Sequence, residues 1–368
     1  MRASRDLSIW RWFDFFPVKN RLSIVSLGEG STPLLPAPRL GASIGIANLY
    51  LKNDTVLPTG SLKDRSNTVG ISVAKELGFD TASVISTGNA AASVAAYAAA
   101  AGMHSVVMVP KGTAPSKIIQ AHAYGAAVVV VDGRFDYEVA ELYKRAVAEF
   151  GWYDCLSSNP YRIGKKSYAY ELVDKMDGAL PDWVIHPTAG GTGILCMWQG
   201  FKEFHKLGWI RRLPKLVAAQ SEAAAPFVAA IANGSAAIAA VDAHETIAES
   251  IQVGNPSALG ERALAALRDS QGTAVALTDS EILEAQALTA RLAGIFAEPA
   301  AAASVAAAKK MRANGTIGAD EVVICHLTGH GLKQPEAIPY AESDFAPIAP
   351  TLPALREQLK RSGNDFRL

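Results

Sequence analysis

Between residues 77 and 158, short runs rich in β-branched residues alternate with runs of helical character, and this alternation restricts the fold more than any other feature of the chain. "TASVIS" leads into residues 90–101, which Gly102 stops. "SVVMVP" precedes a helix ending near Gly125, "AAVVVVDG" a helix from about residue 137 to 150, and "WYDCLSS" closes the series. Apolar strands separated by helices form βαβ units around a parallel sheet covered on both faces. The rhythm returns with strand "DWVIHP", a glycine loop, a helix over about 194–207, strand "KLVAAQS" and strand "EVVICHLTG". The chain reads as α/β, with two open, doubly wound sheet domains. Residues 1–65 and 159–340 form the larger domain, 66–158 a smaller inserted one and 341–368 a C-terminal tail. Residues 221–247 receive no assignment, whereas Thr278 and Glu281 have capping-box spacing and Gly294 stops the helix they open. Five prolines between Gln334 and Pro353 predict an extended segment before a short terminal helix.

The balance of charge narrows the partners. Lys plus Arg and Asp plus Glu are 35 each, so nothing on the chain attracts nucleic acid or an acidic membrane surface. Apolar runs are broken by charge before about 18 residues, too short to cross a bilayer. The opening segment carries Asp6 and Asp14 and lacks a secretory cleavage pattern, which places the protein in the cytoplasm. Cys155, Cys196 and Cys325 lie far apart without C-x-x-C spacing; they read as core thiols, with no metal site. A small polar metabolite is the expected partner.

Chemistry concentrates at the ends of the strands, where open α/β folds bind ligands. In "LPTGSLKDRSN", Ser61 and Asp64 have the spacing of a capping box, and apolar residues recur at Val69, Val73 and Leu77, so a helix begins near Leu62. Lys63 then sits in its first turn, where the positive end of the helix disfavours an ammonium and favours a reactive amine. Alone, it would read as an ordinary exposed surface charge beside Asp64. Three loops accompany it: "STGNAAAS", whose helix can present N–H groups to an anion; "HPTAGGTGIL", with Gly190, Gly191 and Gly193 before an apolar helix; and "CHLTGHGLK", with Thr328 just past a strand. Each is an ordinary turn when taken singly. The second has neither G-x-G-x-x-G nor a Walker lysine, which argues against a dinucleotide or ATP. An amine, a phosphate cradle and a hydroxyl donor together meet the needs of pyridoxal 5'-phosphate (PLP): aldehyde, phosphate and ring nitrogen.

The segments "VSLGEGSTPLLPAPRLG", "PTGSLKDR", "STGNAAASVAAYAA", "NPYRIGKKS", "IQVGNPSA", "FAEPAAAAS" and "LTGHGLK" occur in this order over nearly the whole chain. They resemble the signature segments of threonine synthase, a fold-type II PLP enzyme of the tryptophan synthase β-subunit group. The resemblance implies a PLP-dependent lyase that converts O-phospho-L-homoserine to L-threonine and phosphate, and a homodimer. It implies that Lys63 forms the Schiff base and moves protons, that Asn89 contacts the cofactor's ring oxygen, and that Gly190, Gly191, Thr192 and Gly193 hold its phosphate. Thr328 would face the pyridine nitrogen. Ser86 and Thr87 would receive the substrate carboxylate, and Ser157 and Arg162, with Lys166 nearby, the substrate phosphate. Leu156 stands where the family often has asparagine, and "TAGGTG" resembles the loops of dehydratases. The alternatives are therefore a threonine/serine dehydratase or β-replacement enzyme on a related amino acid, or a non-catalytic metabolite-binding relative.

Overall fold

In the computed structural model, which describes residues 6–86, 88–133, 138–156, 162–341 and 345–361, ten strands form two sheets. The six-stranded sheet contains β1 (Leu34–Pro36), β2 (Asn48–Asn53), β7 (Trp183–Pro187), β8 (Lys215–Ser221), β9 (Thr273–Leu277) and β10 (Val322–Leu327), in the order β1-β2-β10-β7-β8-β9. The four-stranded sheet contains β3 (Thr81–Ile85), β4 (His104–Pro110), β5 (Ala127–Val131) and β6 (Tyr153–Asp154), in the order β5-β4-β3-β6. All pairs are parallel except β1 with β2, which run antiparallel with Leu34 opposite Lys52. The six-stranded sheet is thus mixed, because β1 is a short edge strand outside the βαβ alternation. Both sheets lie within one compact unit, Met1–Gln334; the segment Pro335–Leu368 forms another, in which the helix Leu352–Arg361 buries no residue.

Alternation along the strands divides the larger core. Leu216 and Ala218 of β8 pack with one cluster, and Val217 and Ala219 with the cluster across the sheet. Side chains point alternately to opposite faces, so a sheet covered on both sides needs an unbroken apolar run. The helix Pro299–Ala313 closes on the sheet through Ala300–Ala303 and Ala306–Ala308, all buried; side chains this small let a helix approach a sheet closely. The aromatic segment Ile9–Phe15 buries Trp10 and Trp12, and Trp10 Nε1 donates to Thr68 Oγ1 at 2.8 Å, fastening the helix Lys63–Glu76 from outside.

That helix is held from below by a buried ionic cluster. Arg65, without solvent exposure, donates through Nε to Asp54 Oδ2 and through Nη2 to Asp54 Oδ1, both at 2.8 Å. Its Nη1 donates to Glu171 Oε1 at 2.6 Å, and Lys52 Nζ lies 2.6 Å from Glu171 Oε2. The cluster ties the end of β2, the helix Lys63–Glu76 and the helix Ser167–Lys175 together. Burial works to raise the Glu171 pKa, but Arg65 and Lys52 outweigh it and hold the carboxyl at about 2.

Replacing Arg65 by methionine leaves two buried carboxylates with one cation, and urea unfolding should show a loss of about 3–5 kcal/mol. An unchanged midpoint would contradict the cluster's role. Because Glu171 is depressed from an ordinary 4.5 to about 2, its contribution is complete above pH 4.5 and disappears as pH falls through about 2. Glu171→Gln should therefore flatten the acid limb of stability across that window.

Candidate active site

Lys63 reaches its position through the strand end opposite it. Leu62 N–H donates to the Thr328 carbonyl at 2.8 Å, His330 N–H donates to the Gly60 carbonyl at 2.9 Å, and Ser61 bridges Gly329 in antiparallel fashion. Gly60 supplies the positive φ of +80° that turns the chain into the helix beginning at Lys63. The predicted capping box of Ser61 and Asp64 does not form. Asp64 instead accepts from Thr59 N–H at 2.7 Å, Thr59 Oγ1 at 2.6 Å and Ser93 Oγ at 2.6 Å. It closes the 59–64 turn and fastens it to the helix Asn89–Ala101, a task its spacing from Ser61 did not reveal.

Lys63, Asn89, Gly190, Gly191, Thr192, Gly193 and Thr328 line one cavity, together with Lys165, His186 and Glu298. The order β2-β10-β7 explains the convergence, since these neighbours bring the 54–63 segment, Thr328 and the glycine loop side by side. The loop is shaped by packing. Gly191, at φ +85°, precedes the helix Thr192–Lys206, and a Cβ there would fall 2.5 Å from Ala263 Cβ and 2.6 Å from the Phe227 ring. A Cβ at Gly193 would fall 2.0 Å from His186 Nε2. Glycine at both positions lets the first turn of the helix approach the cavity with its N–H groups unshielded, an anion cradle.

Burial lowers the Lys63 pKa, with Glu298 opposing it. The lysine keeps some accessible surface, as an amine facing a cavity must, while the protein packed around it disfavours its charge. The cause is therefore desolvation, and not the helix terminus that the sequence suggested. Asn89 Nδ2 donates to both oxygens of Glu298, at 3.1 and 3.0 Å, which fixes the amide over the cavity. Burial raises the Glu298 carboxyl, while Asn89, Lys333 and Lys63 draw it back. Lys165 is lowered to about 7 by burial and by the charges of Lys63 and Arg162, with Cys196 opposing them.

The expected substrate residues are dispersed. Ser86 lies at the end of β3 with its Oγ accepting from Gly88 N–H at 3.3 Å, and it is outside the cavity wall. Arg162 is half-buried, also outside that wall, with its charge felt at Lys165. Lys166 does not join them. Its Nζ donates to Glu203 Oε1 at 2.8 Å and to the Phe15 carbonyl at 3.0 Å. Thr87 and Ser157 lie outside the described residues. Consecutive lysines on a tight helical turn (Gly164–Lys166) cannot share a direction, and here it is Lys165 that meets the cavity. Gly164 makes the approach possible, because a Cβ there would fall 1.8 Å from the Arg65 carbonyl oxygen. Lys165, Glu298 and His186 went unassigned as single residues; the only available signals were a lysine two residues before a helix-opening serine, a glutamate before Pro299 and a histidine inside an apolar strand.

These residues fit PLP: an amine whose charge is disfavoured, a glycine cradle at a helix start, and the buried Thr328 on the adjoining strand end. Residues 25–329 match the family described as pyridoxal-phosphate dependent enzyme. The threonine synthase of Methanocaldococcus jannaschii is 42% identical over 97% of this chain and 88% of its own length. That of Methanosarcina acetivorans is 41% identical over 96% and 86%. Among solved structures, the processed form of threonine deaminase isoform 2 from Solanum lycopersicum aligns with a TM-score of 0.73 at 17% identity, covering 89% of this chain and 92% of that one, which shows the shared fold. The chain is therefore a fold-type II, PLP-dependent lyase and belongs to the pyridoxal-phosphate dependent enzyme family, among the threonine synthases.

Proposed function

We propose that this enzyme converts O-phospho-L-homoserine to L-threonine and phosphate. The observation that carries this reading is that two amines with lowered pKa, Lys63 and Lys165, share one cavity with a helix-start anion cradle. One amine serves the carbonyl chemistry of the cofactor, and a second cation is what a phosphorylated substrate calls for. Relatives of that activity, alike over nearly the whole chain, support the same substrate.

When bound, PLP supplies the electron sink that acidifies the carbons next to its point of attachment. Lys63 would hold the cofactor through its Nζ, and burial, which disfavours the charge of that amine, would keep it able to act as a base at the α-carbon and then at the β-carbon of the substrate. The Gly190–Gly193 loop, with the Thr192 hydroxyl, seats the cofactor phosphate. Asn89, held by Glu298, would meet the ring oxygen, and the buried Thr328 hydroxyl, able to donate, would meet the ring nitrogen. Ser86 and Thr87 receive the substrate carboxylate. Lys165, with Arg162 and Ser157 proposed as its companions, would bind the phosphate as it leaves the γ-carbon; that carbon then takes up a proton, and water adds at the β-carbon. Lys165 takes the part expected of Lys166. We further propose a homodimer located in the cytoplasm; Cys155, Cys196 and Cys325 are buried and in no disulfide, which suits a reducing compartment. Among the described residues no helix is long and apolar enough to cross a membrane.

Borohydride reduction of the holoenzyme followed by peptide mass spectrometry should place the cofactor on Lys63, and Lys63→Ala should abolish turnover; labelling elsewhere would remove Lys63 from its role. Lys165→Met should lower kcat/KM for O-phosphohomoserine by about ten- to a hundredfold, the scale of a lost hydrogen bond to a charged group. Turnover of unphosphorylated threonine, if any, should be spared. Lys165 is charged below its pKa of about 7, so kcat/KM for the phosphorylated substrate should fall as pH rises through about 7, and the variant should lack that limb.

A further inference from the structure

Beneath the glycine loop runs a line of buried groups with no assignment in the reaction. His326 Nε2 lies 3.1 Å from Asp54 Oδ2 in a close but angled contact, and His326 Nδ1 lies 3.0 Å from His186 Nδ1. The far edge of His186, Nε2, lies against the first turn of the helix Thr192–Lys206, where a Cβ at Gly193 would strike it, and His186 forms part of the cavity wall. Both rings are almost fully buried, at 3% and 2% exposure.

Counting hydrogens decides what this line can do. A carboxylate only accepts, so the His326 hydrogen on a neutral ring sits on Nε2 towards Asp54. The one hydrogen between the two Nδ1 atoms then belongs to His186, and its Nε2 presents a bare lone pair to the loop. A lone pair repels an anion. If a proton arrives at His186 Nε2 from the cavity side, the Nδ1 hydrogen passes to His326, whose charge settles beside Asp54. His186 then presents an N–H to the loop. The charge balance says when this happens. Asp54 and Glu171 are already matched by Arg65 and Lys52, so a further buried positive charge has no counterpart until an anion occupies the cradle.

We propose that His186 is a positioning residue for the cofactor phosphate, and that the His186–His326–Asp54 line takes up one proton as the dianion seats in the Gly190–Gly193 loop. The proposal rests on the assignment of that loop to the phosphate. The surroundings agree with it. Burial, His326, Lys165 and Lys63 disfavour charge on His186 and Asp54 favours it, while the Tyr168 ring packs on both histidines. On His326, burial, Arg65 and Lys52 disfavour charge, and Asp54 again favours it. The pair is thus neutral until an anion shifts the balance.

Calorimetric titration of the apoprotein with PLP at pH 8, in buffers of different ionisation enthalpy, reads the proton count directly. The free phosphate is already dianionic there, its second pKa being about 6. Wild type should take up about one proton more than His186→Asn, because the covalent chemistry at Lys63 is common to both. The Kd should weaken about ten- to a hundredfold in the variant, as for loss of a hydrogen bond to a charged group. Wild-type affinity should fall more steeply with rising pH than the variant's, and equal slopes contradict the proposal. Equal proton counts would overturn the proposal. If the variant does not fold, the wild type alone decides: its count for PLP should exceed that for unphosphorylated pyridoxal by about one, and equal counts contradict. Gly191→Ala tests the loop assignment separately. It should weaken PLP and spare pyridoxal; equal weakening of both removes the phosphate from the loop and the proposal with it, whereas selective weakening with unchanged proton counts overturns the histidine line alone.

Discussion

The buried fork of Arg65 on Asp54, completed by Glu171 and Lys52, is the constraint on which the site depends. A guanidinium with no access to water must have its donors met by protein, and here they are met by Thr32, Asp54, Ser167 and Glu171, drawn from three segments of the chain. Lys63 stands two residues before Arg65 on the same helix, so fixing the arginine fixes where the helix starts and which way its first side chain points. The strand-end pairing through Thr328 and Gly329 holds that start from the other side. An amine trapped between a rigid cluster and a strand end has few conformations to search, which suits the role proposed for Lys63.

The same cluster sets the electrostatics above it. Its four charges cancel, so the histidines between it and the glycine loop feel burial more than attraction. The cavity carries lysines with weakened protonation, a carboxyl with raised pKa and a helix start open to anions. Such a site leaves its negative charge to be brought by what binds. Perturbed groups gathered at converging strand ends mark a place of chemistry, in contrast to the satisfied ion pairs on the surface.

Periodicity made much of this legible. The strands from "TASVIS" to "EVVICHLTG" stand out because a sheet covered on both faces demands apolar runs, and the Thr278–Glu281 capping box forms as its spacing required. β2 escaped notice because polar residues at both ends, Asn48 and Lys52–Asn53, leave only three apolar-rich positions between them, and only the cluster explains a buried lysine in a strand. β9, "TAVAL", and the helix Pro299–Ala313 are rich in alanine, which periodicity alone does not sort between strand and helix. Residues 221–247 hold a 3-10 turn, Glu222–Ala224, and a short helix, Pro226–Ala232, both too brief to show a period. At the site, motif order located Lys63, Asn89, the glycine loop and Thr328. The choice between Lys165 and Lys166, the engagement of Asn89 by Glu298 and the true role of Asp64 depend on direction in space, which linear spacing does not encode.

The central claim is that this cavity is built for an amino acid bearing a phosphate at its γ-carbon. It is tested most directly by measuring phosphate release and amino-acid products for O-phosphohomoserine, O-phosphoserine, threonine and serine side by side with the PLP-loaded enzyme. The account predicts threonine and an equal amount of phosphate from O-phosphohomoserine, with the other three turned over far more slowly. Efficient deamination of threonine or serine, with O-phosphohomoserine left intact, would contradict it.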